Sequence, residues 1–165
     1  MLDNFTFKFE AGKHYLISGP TGSGKTTLIN IILDLITPDH GEVFIDEYKP
    51  RTFSASFQVN TLIEHLTVNQ NISIVSGKQY SSNLVDGDLL TKDLSGGMKR
   101  CAEIERAIIS DSQIVILDEP FAGLDEKTKN RAIKFMQNKL NNRTLIIISH
   151  EEEDSKLLDC EIIKV

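Results

Sequence analysis

A glycine-rich stretch between an apolar run and a helical pattern constrains this chain more than any other feature. The stretch runs from Gly19 to Thr26 and has the sequence Gly-Pro-Thr-Gly-Ser-Gly-Lys-Thr. It follows the apolar run at 15–17 and opens a segment patterned as a helix over 28–36. Glycines at these spacings let the backbone turn its N–H groups inward, so that together with the helix N-terminus they form a nest for phosphate oxygens. The pattern therefore predicts a phosphate-binding loop.

The residues at the end of this loop predict how a nucleoside triphosphate is held. Lys25 is placed to reach the β- and γ-phosphates, and Thr26 is placed to put its hydroxyl on a Mg²⁺ ion that bridges them. A glycine turn without a ligand is the alternative, but such a turn needs neither a lysine nor a threonine at its end. We therefore expect a nucleotide-binding set that consists of Gly19, Pro20, Thr21, Gly22, Ser23, Gly24, Lys25, Thr26 and Thr27.

The composition fits one soluble globular domain. The chain has 165 residues, of which 40% are hydrophobic and 25% are charged, and this length allows one domain with a hydrophobic core. A formal net charge of −6 argues against a broad nucleic-acid surface, because binding a polyanion requires clustered Lys and Arg. No window reaches the ~20 apolar residues of a membrane span, and no secretory pattern opens the sequence. We therefore expect a cytosolic protein with reduced thiols at Cys101 and Cys160.

Short apolar runs indicate buried strands. Residues 114–117 and 145–148 are unbroken runs of Ile, Val and Leu, which is typical of parallel strands covered by helices on both faces. Phe5, Phe7 and Phe9 alternate with polar residues, so we expect a strand that forms an antiparallel hairpin with the strand before the glycine loop. Further strands are predicted at 42–46, 53–58 and 161–165. The predicted fold class is α/β, a P-loop NTPase core with a mostly parallel sheet, a small N-terminal antiparallel hairpin and a short helical insert.

Helical patterns occupy most of the remaining chain. Helices are predicted at 28–36, 67–75, 83–90, 95–109 and 125–140, and the acidic run at 151–154 is predicted to start a final helix. Polar residues and poorer periodicity indicate an insertion, so we predict a nucleotide-binding core at 1–58 and 110–165 and a reduced helical subdomain at 59–109. The acidic run is expected to be solvated, with its carboxylates near a helix N-terminus. The helix at 125–140 is likewise expected to present a solvated basic face formed by Lys127, Lys129, Arg131, Lys134 and Lys139.

Acidic residues and a histidine follow two of the predicted buried strands. Asp118 and Glu119 come directly after the run at 114–117, and His150 follows Ser149 at the end of the next strand. Because open α/β sheets gather ligands at the carboxyl ends of their strands, we expect these side chains near the glycine loop, on a strand that neighbours it. Asp118 is then a candidate Mg²⁺ ligand, and Glu119 is a candidate for polarising the water that attacks the γ-phosphate. His150 is a candidate contact of the γ-phosphate or of that water.

A second glycine motif lies between the glycine loop and these acids. Residues 94–100 have the sequence Leu-Ser-Gly-Gly-Met-Lys-Arg, which resembles the signature sequence of the ABC (ATP-binding cassette) ATPases. Other motifs of that family occur in the family's order, namely Walker A at Gly19–Thr27, a Q-loop glutamine at Gln58, Walker B at Ile114–Glu119, a D-loop at Ala122–Asp125 and a switch histidine at His150. The chain therefore resembles an ABC ATPase over nearly its whole length, which implies ATP and Mg²⁺ as ligands.

The resemblance implies a site shared between two subunits. A serine and two glycines at a helix start offer an anion site, although one nucleotide hardly needs two such sites. In ABC ATPases each ATP lies between the Walker A loop of one subunit and the signature of the other, in a head-to-tail dimer. By this resemblance Ser95, Gly96 and Gly97 act on the partner's γ-phosphate, and Asp125 bridges the two sites. The implied catalytic set is Glu119, His150 and Gln58, and the implied Mg²⁺ ligands are Thr26, Gln58 and Asp118.

The chain departs from the family pattern at several positions. Met98 stands where many members have glutamine, and Met-Lys-Arg here is similar to the ATPases of a class of exporters, which weakly favours export. Cys101 and Glu105 replace what is usually a basic and a small residue on the signature helix. Neither Phe5 nor Tyr15 occupies the place of the aromatic residue that stacks on adenine in many relatives. We therefore expect adenine to be bound more weakly, less selectively or by another side chain.

These motifs lead to one main hypothesis and several alternatives. The main hypothesis is an ATPase subunit that drives a separate membrane permease, peripheral on the inner face of the cell membrane, through an ATP-bound dimer with itself or a homologue. One alternative is a non-transport ABC ATPase associated with DNA or ribosomes, although long coiled-coil inserts and paired cassettes are missing. Another is a regulatory nucleotide switch without turnover, which the joint presence of Lys25, Asp118, Glu119 and His150 disfavours. A GTPase or kinase would leave the signature unexplained.

Overall fold

The computed structural model describes residues 5–45 and 52–165, which form five strands and five α-helices. The strands are β1 (His14–Ser18), β2 (Phe53–Ser56), β3 (Ile114–Asp118), β4 (Thr144–Ile148) and β5 (Cys160–Lys164). The helices are α1 (Lys25–Ile32), α2 (Val68–Ser76), α3 (Gly96–Ile109), α4 (Glu126–Leu140) and α5 (Glu153–Leu157). A 3₁₀ turn at Thr91–Asp93 precedes α3. No helix in the described ranges is long and apolar enough to span a membrane.

The strands form one parallel sheet in the order β2-β3-β4-β1-β5. The predicted α/β class with a parallel sheet is therefore confirmed. Strand β4 lies between β1 and β3, so β3 does not directly neighbour the strand before the glycine loop as we expected. In the register of the sheet, Ile148 of β4 lies opposite Asp118 of β3 on one side and opposite Ile17 of β1 on the other. The carboxyl ends of β3, β4 and β1 consequently lie side by side at one edge.

The predicted N-terminal hairpin is wrong in the described residues. Residues 5–10 have no strand structure, and both edges of β1 are already occupied by the parallel strands β4 and β5. The alternating phenylalanines instead cover β1 from one face, because the rings of Phe7 and Phe9 pack edge-on against Tyr15 at 5.5 and 5.0 Å between centroids. The strand predicted at 42–46 is absent from 42–45, and Asp46 lies outside the described residues.

The sheet is covered on both faces, as the apolar runs of β3 and β4 predict. Val115 and Leu117 pack in one cluster with residues of α3 and α4, whereas Ile114 and Ile116 pack in another cluster with α1. Alternate residues of a strand point to opposite faces, so a strand in the middle of this sheet must be apolar on both. Helices packed on both faces thereby stabilise the sheet, including the edge that carries the candidate site.

The insertion has a small hydrophobic cluster of its own. Leu62, Val68, Ile72 and Leu94 pack there against Ala102 of α3. The other face of α3 packs in the main cluster against the sheet, so this helix joins the insertion to the core. The domain division at 59–109 stays a prediction.

Helix α2 lies close to the segment predicted at 67–75. It starts with a capping box: the Thr67 hydroxyl accepts a hydrogen bond from the N–H of Gln70, and the Gln70 side chain accepts one from the N–H of Thr67.

A buried carboxylate explains why the helix predicted at 83–90 does not form. Glu105 of α3 is fully buried and accepts hydrogen bonds from the main-chain N–H groups of Asn83 (2.7 Å) and Leu84 (3.2 Å). The hydroxyls of Tyr80 (3.0 Å) and Ser82 (2.6 Å) also donate to it. Burial, with the nearby charge of Glu105, raises the pKa of Tyr80, so the phenol stays a donor. The carboxylate therefore holds residues 80–84 in a non-helical turn against α3.

We predict that Glu105→Ala destabilises the protein by about 3 kcal/mol or more, because several buried donors lose their acceptor at once. Glu105→Gln should also destabilise the protein, since the side-chain amide N–H groups of the glutamine would face the N–H and O–H donors of residues 80–84. The measurement is the free energy of unfolding by chemical denaturation, with exposed Glu64→Ala in the same insertion as the control, expected within about 0.5 kcal/mol of wild type. A stable Glu105→Ala variant would show that the turn at 80–84 does not need this anchor.

Candidate functional site

The candidate site is built where parallel strands end at one edge of the sheet. The glycine loop at 19–24 follows β1, and Asp118 ends β3 with Glu119 directly after it. His150 follows β4 after Ser149. Gln58 follows the edge strand β2 and is exposed. The topology thus places residues from four strands on the same edge, which is where open α/β sheets bind ligands.

The glycine loop has the backbone conformations that a phosphate nest requires. Gly22 and Gly24 have φ angles of 85° and 106°, in the region that side-chain-bearing residues rarely adopt. A Cβ on Gly19 would overlap the carbonyl oxygen of Val165 and approach Ser23 Oγ. Gly24 is also the N-cap of α1, so the loop leads directly into the positive end of a helix. These glycines therefore have specific conformational and steric roles.

The side chain of Lys25 lies folded across this loop. Its ammonium donates to the carbonyl oxygens of Gly19 (2.8 Å) and Pro20 (2.9 Å), and the residue is 7% exposed. Because both carbonyl groups belong to the glycine loop, the lysine side chain is held against this loop. Thr26 and Thr27 follow in the first turn of α1 and are exposed.

Glu119 has a strained backbone at the end of β3. Its φ angle is 49°, which is unusual for a residue other than glycine and costs on the order of 1–3 kcal/mol. Its N–H donates to the carbonyl of Ile148 (3.0 Å), so β4 holds the residue in this conformation. The carboxylate Oε1 lies 3.2 Å from Nε2 of His150. Oε1 is otherwise buried without a regular hydrogen-bond partner among the described residues.

The acidic pair lies in one electrostatic environment with the lysine and the histidine. Burial raises the pKa of Asp118, and the charges of Arg100, Lys25 and His150 oppose that rise. Burial also raises the pKa of Glu119, which the charge of His150 opposes and that of Asp118 reinforces. Since Lys25 lowers both values, its charge reaches the carboxylates across the intervening strand β4. Lys25, Asp118, Glu119 and His150 are thus brought together, as the sequence predicts.

Gln58 is attached to the signature helix through its backbone. The guanidinium of Arg100 on α3 donates to the carbonyl oxygens of Phe57 (2.9 Å) and Gln58 (3.2 Å). Arg100 also pairs with the buried carboxylate of Glu103 at 3.3 Å. The predicted role of the Gln58 side chain stays a prediction. The sequence pattern alone gave no reason to single out Arg100, because its partners are main-chain carbonyls.

The signature residues lie at the N-terminus of α3. Ser95 is the N-cap of α3 and accepts from the N–H of Met98 at 3.3 Å, and no atom lies within 4 Å of a Cβ placed on Gly96. A cavity of about 220 Å³ adjoins this helix end and is bordered by Ser95, Gly97, Asp125 and Arg131 among others, with no residue of the glycine loop in its lining. Asp125 is exposed and caps α4 by accepting from Thr128. The cavity beside the signature is therefore separate from the glycine loop, and binding of phosphate oxygens at either place stays a prediction.

The residues present fit ATP and Mg²⁺. Gly22 has open space beside it, and Ser23 Oγ and Glu119 Oε1 are buried oxygens without regular hydrogen-bond partners in the described chain. A nucleotide, its metal ion and an attacking water supply such partners. The described residues contain no cluster of three or more His, Cys, Asp or Glu that could hold a metal. The expected set of Thr26, Gln58 and Asp118 has a single carboxylate, as Mg²⁺ sites shared with phosphates often do.

Two expectations about charged surfaces are wrong at particular residues. Lys129 was expected on a solvated face, but its side chain is 17% exposed and ion-paired. Asp154 was expected in a solvated acidic run, but it is 1% exposed. Helical periodicity places Lys129 on the polar side of α4, and only the fold shows that the loops after β3 and β4 close over that side.

Comparison with known families shows the family of this chain. The sequence model of the ABC transporter family matches residues 2–122. This chain belongs to the ABC transporter family. Curated relatives include the thiamine import ATP-binding protein ThiQ of Escherichia coli K12, which is 31% identical over 92% of this chain and 76% of its own length. The ThiQ protein of Yersinia pestis is also 31% identical, over 92% of this chain and 75% of its own.

Solved structures of ABC cassettes have the same fold. A dimeric post-hydrolysis state of the ATP-binding cassette MJ0796 bound to ADP and Pi is 26% identical, with a TM-score of 0.83 over 99% of this chain and 85% of that chain. Another dimeric structure of MJ0796, described as a bacterial ABC transporter cassette, gives a TM-score of 0.82 at the same identity and coverage. The chain is an ABC ATPase that binds ATP, as the order of its motifs implies.

We predict that His150→Gln raises the pKa of Glu119 further. The charge of His150 beside Glu119 lowers the pKa of that carboxyl, so its removal leaves the effect of burial less opposed. The measurement is the ¹³C chemical shift of the Glu119 carboxyl as a function of pH. Exposed His65→Gln serves as the control and should leave that titration unchanged. An unaltered or lowered Glu119 pKa in His150→Gln would contradict this arrangement.

Proposed function

We propose that the chain is the Mg²⁺-dependent ATP-hydrolysing subunit of a membrane transporter and that two subunits close head to tail around two ATP molecules. The observation that carries this proposal is the separation of its two phosphate-type sites. The loop at 19–24 and the helix start at 95–97 lie at different places on one chain, and the cavity beside the signature has no loop residue in its lining. Each site is half of a nucleotide site, and a second copy supplies the other half.

The roles of the residues in the proposed site follow from their positions. The glycine loop and Lys25 bind the β- and γ-phosphates, and this lysine exchanges its loop carbonyls for phosphate oxygens when ATP binds. Thr26, Gln58 and Asp118 would hold the Mg²⁺ ion, which would supply positive charge to offset the negative charge on the phosphates. Asp118 suits this role because it lies buried at the end of β3.

Glu119 orients and polarises the water that attacks the γ-phosphate. Burial raises the pKa of Glu119, which makes its carboxylate a better proton acceptor. His150, 3.2 Å away, limits where that carboxylate can point. The attacking oxygen forms a bond to the γ-phosphorus as the bond to the β-phosphate oxygen breaks, which yields ADP and phosphate. Ser95, Gly96 and Gly97 of the other subunit complete the donors around the γ-phosphate, and Asp125 links the two sites.

Coupling to transport requires a membrane partner. We propose that the subunit binds an integral permease at the inner face of the cell membrane. The relatives from Escherichia coli and Yersinia pestis are named as import proteins, and this favours import over the export that Met98, Lys99 and Arg100 indicate. Copurification from cells tests the assignment, because recovery of an integral membrane protein supports transport. Recovery of ribosomes or DNA instead would favour a non-transport ABC ATPase.

We predict that Glu119→Gln forms a stable dimer in saturating MgATP. The amide keeps the volume of the side chain but cannot accept the proton of the attacking water, so ATP stays bound and the closed dimer persists. The measurement is molecular mass by size-exclusion chromatography with light scattering, with and without MgATP. Glu119→Gln combined with Lys25→Ala is the control and should stay monomeric, because it lacks a phosphate contact. A monomeric Glu119→Gln variant in saturating MgATP would contradict the proposed dimer.

A further inference from the structure

Lys129 lies enclosed between two loops of the candidate site. It occupies α4 one turn after the N-cap Asp125, and its ammonium is 2.6 Å from Oδ1 of Asp154 and 2.6 Å from Oε2 of Glu151. The same ammonium lies 5.5 Å from the ring centroid of Phe121, a distance at which a cation is attracted to an aromatic face. Phe121 belongs to the loop after β3, and Glu151 and Asp154 follow β4. Lys129 therefore contacts both loops at once.

Asp154 extends this contact to the residues on either side of His150. Its Oδ2 accepts a hydrogen bond of 2.8 Å from the hydroxyl of Ser149, and that hydroxyl accepts one of 3.0 Å from the N–H of Glu151. Ser149 and Asp154 are 4% and 1% exposed, so these bonds are shielded from water. The turn that presents His150 is consequently held from both flanks, and its carboxylate anchor is held by Lys129.

Lys129 pairs with one buried carboxylate, that of Asp154, and one exposed carboxylate, that of Glu151. Asp154 Oδ1 is buried and makes no hydrogen bond of regular geometry in the described chain, so the ammonium at 2.6 Å is what neutralises it. Burial by itself lowers the pKa of Lys129, but its close contacts with the carboxylates of Asp154 and Glu151 outweigh burial and leave the pKa above its ordinary value. Removal of one partner leaves the other charged and buried, which is costly. The pair therefore restricts both loops to one arrangement.

We propose that Lys129 is a positioning residue for ATP hydrolysis, which ties the loop at 119–125 to the loop at 149–151 and so sets His150 against Glu119. The proposal rests on the proposed function, because it assigns Lys129 to the same reaction.

Three variants separate positioning from a purely structural role. Lys129→Met leaves Asp154 without its counter-ion and should lower both Tm and activity. In the double variant Lys129→Met/Asp154→Asn the buried charge is gone and an amide oxygen still accepts from Ser149, so Tm should recover. Lys129→Arg keeps the charge and should retain kcat within about twofold of wild type. Lys134→Met, an exposed lysine of the same helix, is the matched control and should not change kcat.

The decisive comparison is between the kcat of the double variant, whose Tm is restored, and the kcat of the wild type. Positioning predicts a kcat about tenfold below wild type with an unchanged KM for ATP, because small misplacements of catalytic groups cost rate rather than binding. A double variant with wild-type kcat would overturn the proposal and leave Lys129 a structural residue.

A second measurement on the ATP-free protein does not depend on turnover. The ring Hε1–Cε1 resonance of His150, assigned by its loss in His150→Gln, should move in Lys129→Met and in the double variant, while the resonance of exposed His65 stays in place. An unmoved His150 resonance overturns the proposal. If the wild-type protein hydrolyses no ATP, the proposed function fails, and the His150 resonance still tests whether Lys129 positions the ring.

Discussion

The parallel pairing of β3 with β4 is the constraint on which the candidate site depends. The register sets Asp118 opposite Ile148, so that the chain leaves both strands at the same level of the sheet. The carbonyl of Ile148 then accepts from the N–H of Glu119, and this holds Glu119 in a left-handed conformation next to His150. A shift of the register by one residue would reverse the faces of every side chain in β3. The pairing of β3 with β4 therefore fixes the strained conformation of Glu119 and its position next to His150.

Buried carboxylates fasten loops to helices throughout the molecule. Glu105 holds the turn at 80–84 on α3, and Asp154 holds the turn around His150. Glu103 accepts from the N–H of Thr61 (2.8 Å) and pairs with Arg100, which itself donates to the carbonyls of the Q-loop. Each carboxylate has several donors or a cation, which offsets the cost of its burial. Glu105 and Glu103 thereby attach the insertion to α3 by polar contacts, in addition to the hydrophobic cluster that packs against Ala102.

Much of the fold and of the site could be predicted from the sequence, for physical reasons that differ between elements. The runs at 114–117 and 145–148 are apolar on both faces, so their place in a covered parallel sheet follows directly. The glycine loop predicts its own conformation because Gly22 and Gly24 adopt φ angles that other residues rarely tolerate. Helices α3 and α4 begin one residue after Ser95 and Asp125, where the predicted helices start, and these two residues are their N-caps.

The errors arise where tertiary contacts override local patterns. The alternation of Phe5, Phe7 and Phe9 suits a strand, but no edge of β1 is free to pair with one. The segment at 83–90 has helical periodicity, yet Glu105 takes its main-chain donors. Lys129 has a partner 25 positions away in the sequence, and periodicity on one helix carries no information about such a partner.

The central claim is that a complete ATP site needs the glycine loop of one chain and the signature of another. The most direct test mixes Lys25→Ala, which damages the loop, with Gly97→Asp, which places a negative charge at the signature. Each variant alone should be inactive. A mixture in equal amounts should recover about one quarter of wild-type ATPase activity, because half of the dimers are mixed and each has one intact site. No recovery from two folded variants that form mixed dimers would contradict a site shared between subunits.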